Sequence, residues 1–457
     1  MIRLFNHYLP LRILLLTLIE AMVLFQAMVL GFEIRLIDRA LPLPLAEAGV
    51  FTAVMLLMMT GLGLYESQHE PFRVMLQRLA VAYGLTLVVM SVIFYVFPAT
   101  YVGRGVFALT SLFAAAGVLM IRLIFFRLTD VGLPKRRVLI LGNGHEAEDV
   151  IRFLNDGARG RTIEYAGLYP LASDRGTSEA ERRASQQQLL RTVRDLRVSE
   201  MVIAVRERRG GVMPLRQLLD CKLKGLRVMD LVSFYERDQG LLKIDNLRAS
   251  WLIFGSGFDQ GLTRDIIKRS FDILVSVALL TLTLPILLLA MLAIFLESGR
   301  PIFYRQERVG QGGATFMILK LRSMRQDAEK DGKPRWAGAN DSRVTMVGRV
   351  LRRSRIDELP QLINVLRGDM SFVGPRPERP YFVQQLLEDI PYYDVRHSVK
   401  PGVTGWSQVR YNYGASVEDA LAKLQYDLYY VKNHSLFLDL LILVDTVQVV
   451  LLGKGAR

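Results

Sequence analysis

The chain has 457 residues, a length typical of about three domains, and 51% of them are apolar, with a mean hydropathy of +0.25. This composition excludes a wholly soluble protein, and the single cysteine, Cys221, excludes an internal disulfide. The formal net charge of +14 favours anionic partners, namely acidic lipid headgroups, phosphorylated small molecules or nucleic acid, among which charge alone does not decide.

Four apolar segments open the chain, each close to the ~20 residues that a membrane-spanning helix needs. They are Leu11–Leu30, Ala46–Tyr65, Val74–Phe97 and Val106–Phe126. A cleaved signal peptide fits poorly, because the first segment is long, contains Glu20 and is followed by three further spans. Basic residues after the fourth segment predict that this end is cytoplasmic, which places the N-terminus there too. The sequence therefore predicts a four-helix transmembrane domain over residues 1–134.

Residues 135–250 have the alternating pattern of an α/β unit. The expected strands are VLILG, TIEYAGLY, MVIAV and LRVMDLV, with helical segments between them. This spacing predicts a Rossmann-like domain with a parallel, doubly wound sheet. Gly142 and Gly144 belong to a GxGxxA loop, where backbone N–H groups can bind a phosphate of a cofactor. The second strand ends in Leu-Tyr-Pro without the acidic residue that holds a ribose, so a regulatory or assembly role is favoured over dinucleotide binding.

A fifth apolar run, residues 273–296, has basic residues on both sides, which predicts that both of its ends are cytoplasmic. Pro285 near its centre removes the hydrogen bond to the carbonyl of Thr281 and divides the run into halves of about 12 residues. Each half extends roughly 18 Å, too short for a hydrocarbon core of ~30 Å. A re-entrant membrane hairpin over residues 271–297 is therefore favoured over a kinked span, with the hydroxyls of Thr281 and Thr283 satisfying the freed backbone groups.

The remaining residues, 301–457, are basic and rich in turns, and they contain an adjacent acid pair. Asp357 and Glu358 precede Pro360 and the apolar run LINVL, so we expect them at the start of a helix. Taken alone, that position is explained by a helix N-cap and a first-turn carboxylate. The acid pair is therefore a candidate catalytic site only if the residues around it indicate a reaction.

The surroundings of the acid pair in the sequence are strongly cationic. The nearby cations are Lys320, Arg322, Arg343, Arg352, Arg353, Arg355, Arg367 and Arg376. Arg376 stands out, because its flanking prolines stiffen the backbone and fix where the guanidinium points. An acid pair in this setting is expected to stay ionised and to face a phosphate, which indicates phosphoryl chemistry.

Several motifs follow one another in a fixed order between Leu262 and about Asp439. They are KRSFD, FYRQERVGQGG, LKLRSM, RRSRIDELPQLINVLRGDMSFVGPRPE, KPGVTGW and QYDLYY. Together they resemble the bacterial polyprenyl-phosphate hexose-1-phosphate transferases, the monotopic phosphoglycosyl transferases that start exopolysaccharide and O-antigen repeat units. The preceding spans and α/β unit resemble the large form of that family. A catalytic domain with the re-entrant helix is thus expected over residues 251–457.

The resemblance implies a two-step transfer from a UDP-hexose, with glucose or galactose as the expected sugar, to undecaprenyl phosphate, with release of UMP. Asp357 would be the nucleophile and Glu358 its partner, as Mg²⁺ ligand or proton handler, so that both carboxylates belong to the metal site. Phosphate contacts are implied for Lys320, Arg322, Arg376, Lys268, Arg269 and Asp427. For Asp427 a packing role is an equal alternative.

One segment departs from the family pattern. After Gly-Trp the commoner members have a QVNGR-like turn, whereas this chain has SQVRYNYGAS at Ser407–Ser416, with Arg410 and Tyr411 in place of Asn-Gly. This turn resembles a subgroup associated with exosortase-linked exopolysaccharide clusters. It leaves the sugar specificity open.

Two other classes of function compete with a transferase. A membrane-anchored, NAD-dependent nucleotide-sugar dehydratase or epimerase would need a YxxxK pair, and no tyrosine here has a lysine four residues on. A non-enzymatic scaffold would bind anionic lipid and would not depend on the acid pair. The favoured interpretation is a multi-pass protein of the bacterial inner membrane, with its catalytic domain on the cytoplasmic face and membrane lipids as partners. Nucleic acid is not expected as a partner, and a homodimer is compatible with this organisation.

Overall fold

In a computed structural model of the chain, the contacts divide the protein into two compact units. One unit combines Met1–Gly117 with Phe254–Arg457, and the other is Val118–Ile253. The structure describes residues 2–4, 6–36, 42–65, 72–130, 135–142, 144–155, 163–170, 188–205, 214–247, 249–254, 257–258, 261–326, 343–411, 414 and 416–451. The expected division into three domains at residues 134 and 250 stays a prediction.

The N-terminal region is helical, as predicted, and begins with a short antiparallel hairpin. Its elements are β1 (Ile2–Leu4), β2 (His7–Leu9), α1 (Leu11–Leu36), α2 (Leu45–Gly61), α3 (Phe72–Val96) and α4 (Arg104–Asp130). Helices α1 and α3 and residues Arg104–Phe125 are long and apolar enough to cross a membrane. Helix α2 has only 17 residues, about 26 Å of helix, so the second expected span is shorter than predicted.

The second unit contains the predicted parallel sheet. Its strands are β3 (Arg136–Gly142), β4 (Ile163–Tyr169), β5 (Glu200–Ala204) and β6 (Arg227–Asp230), paired in parallel in the order β4-β3-β5-β6. The described helices that accompany them are α5 (His145–Asn155), α6 (188–195), α7 (Leu215–Leu223), α8 (Leu231–Gln239) and α9 (Ala249–Phe254). The parallel α/β region is therefore confirmed.

The expected strand LRVMDLV is wrong at its C-terminal end. Asp230 ends β6 and accepts a hydrogen bond from the backbone N–H of Ser233, so its carboxylate caps α8. The two residues that follow, Leu231 and Val232, begin that helix and are buried in it. An N-cap aspartate thus outweighed the β propensity of its neighbours.

The C-terminal region carries one long apolar helix and a small mixed fold. The elements are α10 (Leu262–Ser298), β7 (Phe303–Val309), β8 (Thr315–Leu321), α11 (Met346–Arg353), α12 (Gln361–Arg367), β9 (Ser371–Val373), α13 (Pro380–Asp389), β10 (Gly402–Thr404), α14 (Trp406–Arg410), α15 (Val417–Asn433) and α16 (Leu436–Leu451). Strands β7 and β8 are antiparallel, and β9 and β10 are parallel. Helix α10 is also long and apolar enough to span a membrane.

Helix α10 continues through Pro285, and its hydroxyl groups are not used as expected. The Thr281 hydroxyl donates to the carbonyl of Val277, and the Thr283 hydroxyl donates to the carbonyl of Leu279. Neither bond reaches the carbonyl that Pro285 leaves without an N–H donor. That part of the prediction is wrong, because each threonine bonds one turn back along its own helix.

Both ends of α10 are bonded to the same small region of the C-terminal fold. Near its start, Arg269 donates to the carbonyls of Val365 and Leu366 at the end of α12. At its end, the carbonyl of Ser298 accepts a hydrogen bond from Arg322, which directly follows β8. The re-entrant hairpin stays a prediction.

The N-terminal helices pack against the C-terminal region within the first unit. Gly63, just after α2, adopts φ +73°, and a Cβ at this position would clash with the amide of Gln448 in α16. His7 in β2 lies 2.7 Å from the hydroxyl of Tyr429 in α15, measured from Nδ1. Residues from the two ends of the sequence therefore share one core.

Candidate active site

The acid pair lies in a short 3₁₀ turn, Ile356–Glu358, between α11 and α12. Arg355 enters this turn in the left-handed region, at φ 59°. Helix α12 begins only at Gln361, and Pro360 precedes it without a side-chain cap. Asp357 is therefore not a helix N-cap, which removes the purely structural explanation for the acid pair.

Glu358 is neutralised by two cations from distant parts of the chain. Its Oε1 lies 2.9 Å from Nζ of Lys320 in β8 and 2.9 Å from Nη2 of Arg376 in the GPRP segment. Burial alone would raise the pKa of Glu358, but the charges of Lys320 and Arg376 hold it well below its usual value. Glu358 therefore stays ionised at neutral pH.

Asp357 is in a different electrostatic state from its neighbour. Within the part of the chain that the structure describes, its buried Oδ1 accepts no hydrogen bond. Burial, followed by the charge of Glu358, raises the pKa of Asp357 to about 6, against the opposing effect of Lys320 and nearby arginines. At pH 7 about nine in ten molecules still carry an ionised Asp357. A carboxylate with this pKa and an oxygen without a partner is suited to act as a nucleophile.

Asp357 lines a cavity of about 460 Å³, a size typical of small-molecule sites. Among the described residues, the charged side chains of the cavity wall are mainly cationic, and the carboxylates are Asp357, Glu378 and Asp427. Its cations include Lys320, Arg352, Arg355, Arg376, Arg379, Arg396 and Lys423. Such a wall is suited to a ligand with several negative charges, such as a nucleoside diphosphate.

Arg396 was not singled out by the sequence, because no motif marks it, yet it fixes two groups of the cavity. Its Nη2 lies 2.8 Å from Oδ2 of Asp427 and donates to the backbone carbonyl of Arg376 at 2.9 Å. Burial raises the pKa of Asp427 despite this ion pair. Asp427 thus lines the cavity and is paired with Arg396, and its contact with substrate stays a prediction.

Three of the other predicted phosphate-binding residues make bonds to protein groups. Arg322 lines the cavity, but its Nη2 donates to the carbonyls of Ser298 and Gly299. Lys268 lies 2.7 Å from Asp439 in α16, and Arg269 caps α12. Neither Lys268 nor Arg269 is among the residues that line the cavity. Their role at a lipid phosphate stays a prediction.

The glycines of the GxGxxA loop lie in the other compact unit. Gly142 adopts φ +142°, and a Cβ there would clash with the carbonyl of Ala204 on the neighbouring strand β5. Gly144 adopts φ +87° just before α5. Close strand packing is sufficient to explain Gly142. Cofactor binding at this loop stays a prediction.

The divergent turn after Gly-Trp borders the same cavity as Asp357. Ser407, Gln408, Tyr411, Gly414 and Ser416 are among its lining residues. Residues 412, 413 and 415 of this turn lie outside the described part of the chain. A segment in which this chain differs from the common family pattern therefore faces the candidate nucleophile's cavity.

The acid pair is compatible with a Mg²⁺ ion that is bound largely by substrate. Among the described residues, no group of three or more His, Cys, Asp or Glu side chains is placed to hold a metal ion. Mg²⁺ commonly takes one or two carboxylates together with substrate phosphates and water. The unpartnered Oδ1 of Asp357 and the adjacent Glu358 fit that limited requirement.

Comparison with known proteins gives concordant matches. A family model described as bacterial sugar transferase matches residues 263–453. A relative from Aeromonas hydrophila, named UDP-N-acetylgalactosamine-undecaprenyl-phosphate N-acetylgalactosaminephosphotransferase, is 44% identical over 242 residues, which cover 53% of this chain and 56% of the relative. The match thus spans little more than half of that relative's length.

Two further relatives share another name, UDP-glucose:undecaprenyl-phosphate glucose-1-phosphate transferase. The one from Caulobacter vibrioides is 46% identical over 196 residues, which cover 42% of this chain and 72% of the relative. The one from Escherichia coli is 32% identical over 336 residues, which cover 72% of this chain and 70% of the relative. The names of these relatives therefore include two different sugars.

Proposed function

This chain belongs to the bacterial sugar transferase family, and we propose that it transfers a hexose-1-phosphate from a UDP-sugar to undecaprenyl phosphate. The observation that carries this proposal is the acid pair. Among the described residues, Oδ1 of Asp357 has no hydrogen-bond partner, and it lies at a cavity with many cations, beside a Glu358 that is neutralised by Lys320 and Arg376. In this role the protein would catalyse the first membrane step of exopolysaccharide biosynthesis.

The first half of the reaction forms a bond between a carboxylate oxygen of Asp357 and the β-phosphorus of the UDP-sugar. The bond from that phosphorus to the oxygen bridging the two phosphates breaks, and UMP leaves with the electron pair. In the second half, a phosphate oxygen of undecaprenyl phosphate attacks the same phosphorus and releases the carboxylate of Asp357. Splitting the exchange in this way lets one cationic cavity serve two anionic substrates in turn.

The different pKa values of the two carboxylates support a division of roles. Since Glu358 stays ionised, it is a better charge partner or metal ligand than a proton handler. Lys320 and Arg376 lie at Glu358 and line the cavity, so they are placed to contact diphosphate oxygens as well. Mg²⁺, held by Asp357, Glu358 and the diphosphate, would reduce the repulsion between nucleophile and substrate.

The helices support a location at a membrane. Among the described residues, four helices are long and apolar enough to cross it, and His7 of the N-terminal hairpin contacts the C-terminal fold. Together with the expected cytoplasmic N-terminus, this contact supports a cavity on the cytoplasmic face of the inner membrane. The bonds from both ends of α10 to the β8–α12 region favour a re-entrant hairpin over a span.

The proposal is tested with purified protein, Mg²⁺, a radiolabelled UDP-hexose and undecaprenyl phosphate. We expect UMP release by the wild type and its loss, by at least about 1,000-fold, in Asp357→Asn, which lacks the nucleophilic oxygen anion. When lipid is withheld, label should remain on the wild-type protein alone. Asp389→Asn, an exposed aspartate in the same region, is the matched control and should behave as wild type.

Turnover by Asp357→Asn at the wild-type rate, or wild-type protein that never carries label, would contradict the covalent mechanism. The same assay identifies the sugar when UDP-glucose, UDP-galactose and UDP-N-acetylgalactosamine are compared. UDP-glucose is our first expectation, and the name of the Aeromonas relative adds the third sugar to the comparison. If the wild type released UMP from none of the three donors, this result would contradict the proposed transfer from a UDP-sugar.

A further inference from the structure

The N-terminal hairpin inserts a histidine among buried aromatic residues of the C-terminal fold. His7 is only 8% exposed, and its ring makes edge contacts with Trp406 and Tyr429 at centroid distances of 5.6 and 5.9 Å. Trp406 and Tyr429 are stacked on each other, and both are buried. A residue near the start of the chain thus completes an aromatic cluster whose other members lie some 400 residues later, as the separation of 422 residues between His7 and Tyr429 shows.

The hydrogen bond between Nδ1 of His7 and the Tyr429 hydroxyl fixes the orientation of the imidazole ring within this packing. Burial and the charge of Arg410 lower the pKa of His7 to about 4, so the ring is neutral at pH 7. A neutral imidazole can make this bond while its face and edge remain against Trp406 and Tyr429. Replacing the ring would remove both the bond and the packing.

The aromatic cluster is joined to α14 by Arg410. The guanidinium of Arg410 lies over the Trp406 ring, 4.4 Å from its centroid, and pairs with Asp445 of α16 at 3.1 Å. Trp406 and Arg410 are the first and last residues of α14. Both ends of this five-residue helix are therefore fixed by groups outside it.

Two of the three intervening side chains of α14 face the candidate active site. Ser407 and Gln408 line the cavity, together with Tyr411 just after the helix. Gln408 is also 3.4 Å from Nη1 of Arg376, whose Nη2 pairs with Glu358. A shift of α14 would move part of the cavity wall and one partner of Arg376.

We propose that His7 is a positioning residue of the active site, which holds α14 so that Ser407 and Gln408 keep their places in the cavity wall. This inference rests on the proposed transferase function. It assigns the N-terminal hairpin of the membrane region a task in substrate binding. A helix as short as α14 has little stability of its own, so its position depends on such outside contacts.

The test uses the full chain in nanodiscs and two variants of His7. His7→Ala removes ring and hydrogen bond, whereas His7→Phe keeps an aromatic ring without the bond. Arg3→Gln, an exposed position of the same hairpin, is the matched control. Hydrogen–deuterium exchange is measured on peptides covering 406–411, and kcat/KM for the UDP-hexose is measured per molecule that can be labelled with sugar phosphate.

We expect His7→Ala to exchange about tenfold faster over 406–411 and to lose about tenfold in kcat/KM, mostly through a higher KM. His7→Phe should recover part of both losses, and Arg3→Gln should change neither. Counting only labelled molecules removes any contribution from misfolded protein.

Unchanged exchange over 406–411 in His7→Ala would overturn the proposal, and so would unchanged kcat/KM despite faster exchange. The two proposals also fail in different ways. If the wild type released no UMP, the transferase proposal would fall, while the exchange measurement would still show whether His7 holds α14.

Discussion

At the scale of single residues, two adjacent carboxylates differ because they meet different neighbours. Glu358 accepts hydrogen bonds from both Lys320 and Arg376, whereas the Oδ1 of Asp357 has no hydrogen-bond partner among the described residues. The sequence predicted that arginines would keep the acid pair ionised. It did not show that burial would raise the pKa of Asp357 to about 6 while that of Glu358 is lowered. The balance of burial and charge depends on the folded environment.

This difference predicts the pH dependence of the reaction. The nucleophile must be ionised, so kcat/KM for UMP release should fall as pH drops through about 6, tenfold for each pH unit below it. Removing a negative neighbour favours ionisation, so Glu358→Gln should shift the midpoint to lower pH. Removing a positive neighbour disfavours it, so Lys320→Met should shift the midpoint to higher pH.

The measurement is a profile of UMP release between pH 5 and 8 at constant ionic strength. Glu388→Gln, at an exposed position, is the control and should leave the midpoint unchanged. Shifts of the same sign in Glu358→Gln and Lys320→Met would show that a group other than Asp357 controls the profile.

At the scale of elements, the two motifs GPRP and KPGVTGW meet through the short β9–β10 pair. The N–H of Gly374 donates to the carbonyl of Thr404, and the N–H of Gly402 donates to the carbonyl of Pro375. A Cβ at Gly405 would clash with the carbonyl of Gly374. The sequence shows both motifs, but only the pairing explains why glycine is needed where they approach.

We expect Gly405→Ala to destabilise this pair by about 1–3 kcal/mol, since a methyl group would push against backbone that cannot move freely. UMP release should fall with it, because the pair lies between Arg376 and α14. Thermal unfolding and the UMP assay measure the two effects. Gly84→Ala is the control, since Gly84 is an exposed residue within helix α3 and a Cβ there meets open space; equal stability of both variants would refute the argument.

The basic residues near the start of helix α10 bond to protein groups. The family resemblance implies phosphate contacts for Lys268 and Arg269, which lie at the mouth of the expected hairpin. In the structure Arg269 donates to the last carbonyls of α12, a common use of a basic side chain at a helix C-terminus. Flanking charge indicates the membrane boundary, but it does not show which charges are used inside the protein.

At the scale of the whole molecule, the N-terminal helices and the C-terminal fold share one compact unit. Helix α2 packs against α16, and the N-terminal hairpin packs against α15 through His7. The candidate active site beside these contacts is therefore supported by residues from both ends of the sequence. The α/β unit between them in sequence forms its own compact unit.

The predicted topology can be tested by cysteine labelling in a Cys221→Ser background. With a re-entrant α10, Thr263→Cys and Arg305→Cys should react with a membrane-impermeant maleimide from the same face, and Arg3→Cys should share it. Intact spheroplasts and inverted vesicles provide the two faces. Labelling of Thr263→Cys and Arg305→Cys from opposite faces would establish a kinked span instead.

The sequence alone determined the apolar helices, the parallel α/β region and the order of the motifs, because each is encoded in local periodicity or a contiguous pattern. It also singled out Asp357, Glu358, Lys320 and Arg376 as candidate site residues, although it did not show which cations would reach the acid pair. Only the tertiary structure decided that Lys320 binds Glu358 across 38 residues and that His7 binds Tyr429 across 422. Contacts between such distant positions, and the burial that sets their pKa values, arise from packing that no local pattern specifies.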